Sequence, residues 1–149
     1  MTANPTFSPD MASRRVGPGV AVGVDEGMIR DVVHAFYNRV RADPVLAPVF
    51  ARIADDQWDA HLAKLCDFWS SVLLMTGRFK GRPMQAHAVI PEITRAHFDR
   101  WLALFAQTAR DVCPGPEAAA VFAAKAETIA ESLQLGIAVS RGELPGLGR

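Results

Sequence analysis

The chain has 149 residues, the size of one ordinary domain, and is half hydrophobic and 21% charged. This composition supports a packed core and excludes a chain that is disordered by composition. Sixteen Lys and Arg balance sixteen Asp and Glu, which argues against a nucleic-acid binder that relies on neutralising phosphates. Two cysteines are too few for a disulfide scaffold and suit a reducing compartment.

The sequence shows no sign of a membrane span or a secretory leader. No apolar run approaches the ~20 residues that cross a bilayer, and the first residues lack the apolar stretch of a signal peptide. Residues 1–24 hold three prolines and three glycines, and residues 140–149 hold three glycines and a proline. We therefore expect flexible tails over 1–24 and 140–149 around one cytoplasmic domain at 25–139.

Apolar residues recur at helical spacings of three and four throughout the expected domain, and no segment alternates as a strand would. Asp25 is the expected N-cap of the first helix, and Asp55 or Asp56 of the second long one. Asp43-Pro44 ends the first helix because proline disfavours helix in the residue before it. The helices predicted in chain order span residues 25–42, 44–50, 55–76, 83–90, 94–112 and 117–139. The sequence thus predicts an all-α domain of four long helices with short connectors.

Polar side chains interrupt the apolar stripes of these helices. Tyr37, His61 and Trp101 share stripes with core residues, and His87 lies on the short helix that follows Pro83. A single inward histidine is most often a core residue bonded to a carbonyl, and an inward tyrosine or tryptophan is most often a packing residue. The four together would be costly to bury without partners. They therefore favour a ligand pocket.

A haem pocket is compatible with this set, although periodicity alone does not single it out. His87 would bind the iron, and Tyr37, His61 and Trp101 would offer hydrogen bonds on the other face. Lys64, Arg78 and Arg82 would meet the propionates. The residues expected to enclose the macrocycle are Phe50, Leu65, Phe68, Trp69, Phe79, Met84, Phe98, Trp101 and Phe105. The alternatives are a cofactor-free interaction module and a histidine metal site without porphyrin.

A set of motifs in fixed order carries a family resemblance over about residues 28–138. The motifs are Phe36-Tyr37, Leu46-Ala47-Pro48-Val49-Phe50, Trp58-Asp59-Ala60-His61, Phe68-Trp69-Ser70-Ser71-Val72-Leu73-Leu74, Phe79-Lys80-Gly81-Arg82-Pro83, His87 and His97-Phe98-Asp99-Arg100-Trp101-Leu102. In this order and spacing the chain resembles the truncated haemoglobins, and within them the third group. The absence of a Gly-Gly pair fits that group.

The resemblance implies a two-over-two helical sandwich that encloses haem b. By position, His87 resembles the proximal iron ligand, and Tyr37 and Trp101 resemble the distal hydrogen-bond donors. His61 resembles the residue at the distal gate, and Phe50 the residue that wedges the porphyrin. Phe79 stands where a tyrosine would also be natural, so a propionate hydrogen bond there is not expected.

The function implied by the resemblance is the binding of diatomic ligands, O2, NO and CO, at the haem iron. Donation from Tyr37 and Trp101 to bound O2 would slow its release, which disfavours bulk oxygen transport. NO detoxification, as an NO dioxygenase, and peroxidase-like reduction of peroxide are the expected activities. Either would need a reductase as a partner. The expected assembly is a monomer or weak dimer.

Overall fold

The computed structural model describes residues 17–88 and 93–142. For Met84, Gln85 and Ala88 it describes the backbone but not the side chains. The helices of this part are α1 (Glu26–Ala42), α2 (Ala47–Phe50), α3 (Trp58–Leu74), α4 (Pro83–Ala88), α5 (Arg95–Val112) and α6 (Pro116–Ser140). Short 3-10 turns precede α1 at Val20–Val22 and α3 at Asp55–Gln57. The described residues contain no strand, so the predicted all-α class with four long helices is confirmed.

The starts of the two first long helices differ in how they are capped. The Asp25 carboxylate accepts a hydrogen bond from the backbone N–H of Met28 at 2.8 Å, so the predicted N-cap of α1 is correct. The prediction of an aspartate cap on α3 is wrong. Asp55 and its neighbour form the 3-10 turn instead, and Gln57 occupies the cap position without a capping side-chain bond.

The long helices pack as two layers around one core. Helix α1 packs against α3 and α5, α5 packs along α6, and the short α4 rests on α6. Stacked aromatic rings fill the centre, with Phe105 lying 4.9 Å from Trp69 and 5.4 Å from Trp101 between ring centroids. This arrangement leaves the inward face of α4 directed at the space between the layers. Among the described residues, no helix is both long and apolar enough to cross a bilayer.

Residues 17–24 correct the predicted N-terminal tail. The backbone N–H of Gly19 donates to the carbonyl of Leu73 at 2.9 Å, and Val24 is buried. A Cβ at Gly17 would lie 2.1 Å from the same carbonyl oxygen, so glycine permits the close approach of two backbones there. This part of the tail is therefore packed on the end of α3. Residues 1–16 and 143–149 of the two predicted tails lie outside the described residues, and α6 reaches Ser140.

Asp43 ends α1 with a buried carboxylate. Its oxygens accept hydrogen bonds from the backbone N–H groups of Val45 at 3.1 Å and Leu46 at 3.0 Å, and from Arg100 Nε at 2.7 Å. The Arg100 guanidinium, aided by these two N–H groups, holds the pKa of Asp43 below its ordinary value despite burial. The carboxylate thus ties the turn before α2 to α5.

We expect Asp43→Ala to lower the free energy of unfolding at pH 7 by roughly 2–4 kcal/mol, because it leaves two backbone donors without their charged acceptor. The native carboxylate stabilises the fold above the ordinary carboxyl pKa of about 4. That contribution is lost as the pH falls through the lowered native pKa. Urea unfolding of both proteins at pH 7 and at acid pH should therefore show a difference that shrinks on acidification. The exposed Asp56→Ala is the control, and equal stability of Asp43→Ala and wild type at pH 7 would contradict the prediction.

Candidate functional site

A cavity of about 520 Å³ lies between the two layers and receives side chains from all six helices. Its walls are mainly apolar and aromatic. Among the residues predicted to enclose a ligand, those that line it are Phe50, Leu65, Phe68, Trp69, Phe79, Phe98 and Trp101. A space of this size and lining is typical of a site for one small organic molecule.

Tyr37 and Trp101 meet in this cavity as a hydrogen-bonded pair. Tyr37 enters from α1 and Trp101 from α5, and the Trp101 side chain is bonded to the phenol. Indole nitrogen only donates, so the Tyr37 oxygen is the acceptor. Burial raises the pKa of Tyr37 to about 12, and the bond from Trp101 offsets only part of that rise. Tyr37 therefore stays a neutral phenol whose own O–H can donate.

His61 enters the cavity from the first turn of α3, with its ring centroid 6.0 Å from that of Tyr37. Its Nε2 atom is buried, and none of the described residues gives that atom a hydrogen-bond partner. Burial, followed by the positive charge of Lys64 and the proximity of the His87 ring, lowers the pKa of His61. A neutral imidazole with an unsatisfied buried nitrogen is costly unless a further molecule approaches it.

His87 enters from α4 with a defined orientation. Its Nδ1 lies 2.6 Å from the carbonyl oxygen of Pro83, one turn earlier in the same helix. Because a carbonyl only accepts, Nδ1 carries the proton, and Nε2 is left with its lone pair. A histidine held in this way is prepared to bind a metal through Nε2. The prolines noted in the sequence explain the short helix, since Pro83 is its first residue.

Cationic side chains stand at the exposed edge of the cavity. Lys64, Arg82 and Arg52 line it, the first two as the sequence predicted, and the His97 ring also lines the cavity. Arg78, also predicted to meet the propionates, is not part of the described lining, and its guanidinium pairs with Glu26 at 3.3 Å. The edge is therefore suited to carboxylate groups on a ligand whose body is apolar.

Two other predicted contacts have different outcomes. Phe105 is fully buried between Trp69 and Trp101 and does not line the cavity in the described part of the chain. The side chain of Met84 lies outside the described residues. Sequence reasoning missed several lining residues, namely Leu46, Val49, Arg52, Ile53, Ile93, His97, Ile129, Ala130 and Leu133. Ile129 and Leu133 are four residues apart on the apolar stripe of α6. This spacing does not distinguish a residue that lines a cavity from one that is packed in the core.

The sequence profile of the bacterial-like globin family matches residues 20–132. The chain belongs to this family. It is 32% identical over 88 residues to the group 3 truncated hemoglobin ctb of Campylobacter jejuni, an alignment that covers 57% of this chain and 69% of the relative. The crystal structure of the group III truncated hemoglobin from Campylobacter jejuni matches with a TM-score of 0.72 and 31% identity. That match covers 76% of this chain and 91% of the other.

These findings confirm the predicted truncated globin fold and the third group within it. As a member of the family, this globin binds haem, and its ligands are gases such as O2. The family match and the two similar proteins also disfavour the alternative of a cofactor-free interaction module. Among the described residues, no three His, Cys, Asp or Glu side chains are grouped to hold a metal ion by themselves.

The cavity of this globin fits haem chemically. Haem is an apolar plate with two carboxylates at one edge, and the cavity has aromatic walls with Lys64 and Arg82 at its exposed edge. His87 presents the nitrogen that iron needs, since its other nitrogen is bonded to Pro83. The buried Nε2 of His61 has no hydrogen-bond partner among the described residues, and a ligand held beside it would supply one. The residues present therefore match the cofactor of the family.

Proposed function

We propose that this globin holds haem b through His87 and retains O2 by hydrogen bonding for redox chemistry, with bulk transport excluded as its main role. The observation that carries this proposal is the Trp101–Tyr37 pair in the cavity, with a phenol that stays neutral. Ferrous haem supplies a binding position for diatomic gases and places partial negative charge on O2. The side chains around that position hold the cofactor and stabilise the bound gas.

His87 has the role of the proximal ligand. The hydrogen bond from its Nδ1 to Pro83 fixes the tautomer and raises the basicity of Nε2. Lys64 and Arg82 hold the propionates at the exposed edge, and Phe50 and Phe98 contact the macrocycle. The five residues given these roles, His87, Lys64, Arg82, Phe50 and Phe98, all line the same cavity.

Tyr37 and Trp101 form a donor chain on the distal side. Trp101 donates to the phenol oxygen, which polarises the Tyr37 O–H and strengthens its donation to a charged acceptor. A hydrogen bond to a charged acceptor is worth roughly 1.5–3 kcal/mol, so this donor slows O2 release by about one to two powers of ten. Slow release leaves time for reaction.

Two reactions suit a site with these donors, one that consumes the retained O2 and one that reduces peroxide bound in its place. NO dioxygenation follows the balance O2 + NO + e⁻ → NO3⁻, and peroxide reduction follows H2O2 + 2e⁻ + 2H⁺ → 2H2O. Both need electrons from a reductase, which we include as a partner. The free thiols of Cys66 and Cys113 suit the reducing cytoplasm in which we place the protein. We further propose a monomer or weak dimer.

His61 acts as the gate of the distal cavity. It lies in the first turn of α3, close to Tyr37, and its buried Nε2 can donate to or accept from a ligand. Burial favours the neutral ring, so no charge opposes its inward position. Rotation of the ring away from Tyr37 opens a path for gases.

The test of the haem proposal is a titration of the purified protein with hemin, followed by absorption spectra in the ferric, ferrous and ferrous–CO states. We expect one haem bound per chain, with a Soret band that shifts on reduction and again with CO. Bovine serum albumin, which takes up hemin without this fold, serves as the control for nonspecific binding. A folded protein that takes up no hemin would favour the cofactor-free module instead.

A further inference from the structure

Three side chains outside the cavity form a connected cluster on its distal flank. The Arg41 guanidinium carbon lies 4.3 Å from the centroid of the Trp58 ring, and Arg41 Nη2 lies 2.6 Å from Asp55 Oδ1. A guanidinium over an indole face is attracted by the ring quadrupole. Asp55 fixes the guanidinium in that position. We refer to Arg41, Asp55 and Trp58 as the Arg41 clasp.

The inner side of the clasp faces the distal residues. The Trp58 ring is 5.4 Å from the His61 ring and 6.5 Å from the Tyr37 ring, between centroids. Trp58 is buried although it stands near the surface, since Arg41 covers its outer side. Of the three described rings that contact the His61 ring, Trp58 is the nearest, so the position of Trp58 limits how far His61 can rotate.

The backbone beneath these residues is the start of α3. Trp58 is the first residue of α3, its backbone N–H donates to the carbonyl of Asp55 in the preceding 3-10 turn, and Gln57 makes no capping side-chain bond. The end of a helix opens more readily than its interior. His61 follows Trp58 by three residues and lies in this first turn. Arg41, which belongs to α1, therefore ties this end of α3 to another helix.

We propose that the Arg41 clasp positions Trp58 and thereby sets how often His61 leaves the distal cavity. The inference rests on the proposed role of His61 as the gate. Within the described lining of the cavity, none of the three clasp residues is present. They are positioning residues that act through His61, and their effect is on ligand association, with no direct contact to the ligand.

The first experiment measures CO association with the ferrous protein by flash photolysis. For Arg41→Gln we expect association roughly three- to tenfold faster, because both the cation–π contact and the ion pair are lost. Asp55→Asn keeps the stacked guanidinium and should give a smaller increase. Arg39→Gln is the matched control, since Arg39 lies on the same helix and pairs with Asp111 at 2.9 Å, away from the cavity. It should leave the rate unchanged.

Salt provides an independent readout of the clasp. CO is uncharged, so ionic strength does not change its rate of encounter with the protein. The Asp55 side chain is 91% exposed, so its pairing with Arg41 is screened by salt. We expect the wild-type rate to rise in ~0.5 M salt toward that of Asp55→Asn, whereas Asp55→Asn and Arg41→Gln respond little. A general loosening of the fold does not produce this pattern.

Two further measurements isolate His61 as the route of the effect. In a His61→Ala background, Arg41→Gln should have no additional effect on CO association. Acylation of His61 by diethyl pyrocarbonate, followed by peptide mass spectrometry with the exposed His34 as internal reference, should be faster in Arg41→Gln than in wild type. Unchanged CO association and unchanged acylation in Arg41→Gln would overturn the clasp. A protein that binds no CO would instead contradict the proposed function, while the acylation rates would still decide the clasp.

Discussion

Replacement of His87 by glycine is expected to weaken haem binding more than about 100-fold, and added imidazole is expected to restore it. Loss of a partner that only orients a metal ligand costs about 10–100-fold in affinity, and loss of the ligand itself should cost more. Glycine leaves a space in which free imidazole can take the place of the side chain. The measurements are hemin titration with and without imidazole, and the iron–histidine band in resonance Raman spectra of the ferrous protein.

The rival ligand is His61, which lines the same cavity with a free Nε2. The structure distinguishes the two rings by their second nitrogen. His87 is held by the Pro83 carbonyl at 2.6 Å, while His61 is surrounded by aromatic rings and has its pKa lowered by burial. His61→Ala is therefore the matched control and should keep the iron–histidine band. If His87→Gly keeps that band and His61→Ala loses it, the proximal assignment is reversed.

The fold of this globin could be predicted from the sequence because helix periodicity is a local property. The stripe through Ile29, Val33 and Val40 predicts α1, and Asp25 predicts its start. Pro44 predicts its end. The same reasoning failed at the start of α3, where two aspartates looked equally suitable as caps. Asp55 pairs with Arg41 across 14 residues, a contact that no local pattern contains.

The cavity was harder to predict because an apolar stripe shows which side of a helix faces inward, but not whether a residue on it lines a cavity or is enclosed in the core. Trp101 and Phe105 are four residues apart on α5 and share one stripe, yet Trp101 lines the cavity and Phe105 is enclosed by Trp69 and Trp101. Arg78 was assigned to the edge together with Lys64 and Arg82, but it is not in the described lining and pairs with Glu26 from α1. Depth and long-range pairing depend on how the helices cross.

The edge residues that sequence reasoning missed lie where periodicity gives no information. Arg52 follows the four-residue helix α2, which is too short to define a face. His97 directly precedes the inward Phe98 on α5, so periodicity does not decide which way its side chain faces. The structure shows His97 Nδ1 3.0 Å from the backbone nitrogen of Thr94, in the capping box of α5, while its side chain also reaches the cavity. A local capping role and a cavity position thus coincide in one residue.

Tyr37→Phe is expected to speed O2 release by roughly 10–100-fold, because it removes the hydrogen bond from the phenol to a charged acceptor, together with the oxygen through which Trp101 polarises that donor. Phenylalanine keeps the ring that packs edge-on against Phe36 at 4.6 Å, so the fold should persist. Stopped-flow displacement of O2 by CO gives the rate. Phe36→Leu is a control for altered packing beside the cavity and should change the rate much less. An unchanged rate in Tyr37→Phe would contradict the donor role.

The sequence predicted donation from both Tyr37 and Trp101, and in the proposed donor chain Trp101 acts through the phenol of Tyr37. Trp101→Phe should therefore speed O2 release less than Tyr37→Phe, and should add little in a Tyr37→Phe background. If the two effects multiply instead, Trp101 donates to the ligand directly.

Because deprotonation of Tyr37 would abolish its donation to O2, release of O2 should accelerate only as the pH passes the pKa of Tyr37. Burial raises that pKa to about 12, so the wild-type rate should stay flat through pH ~10, where an ordinary tyrosine is already half ionised.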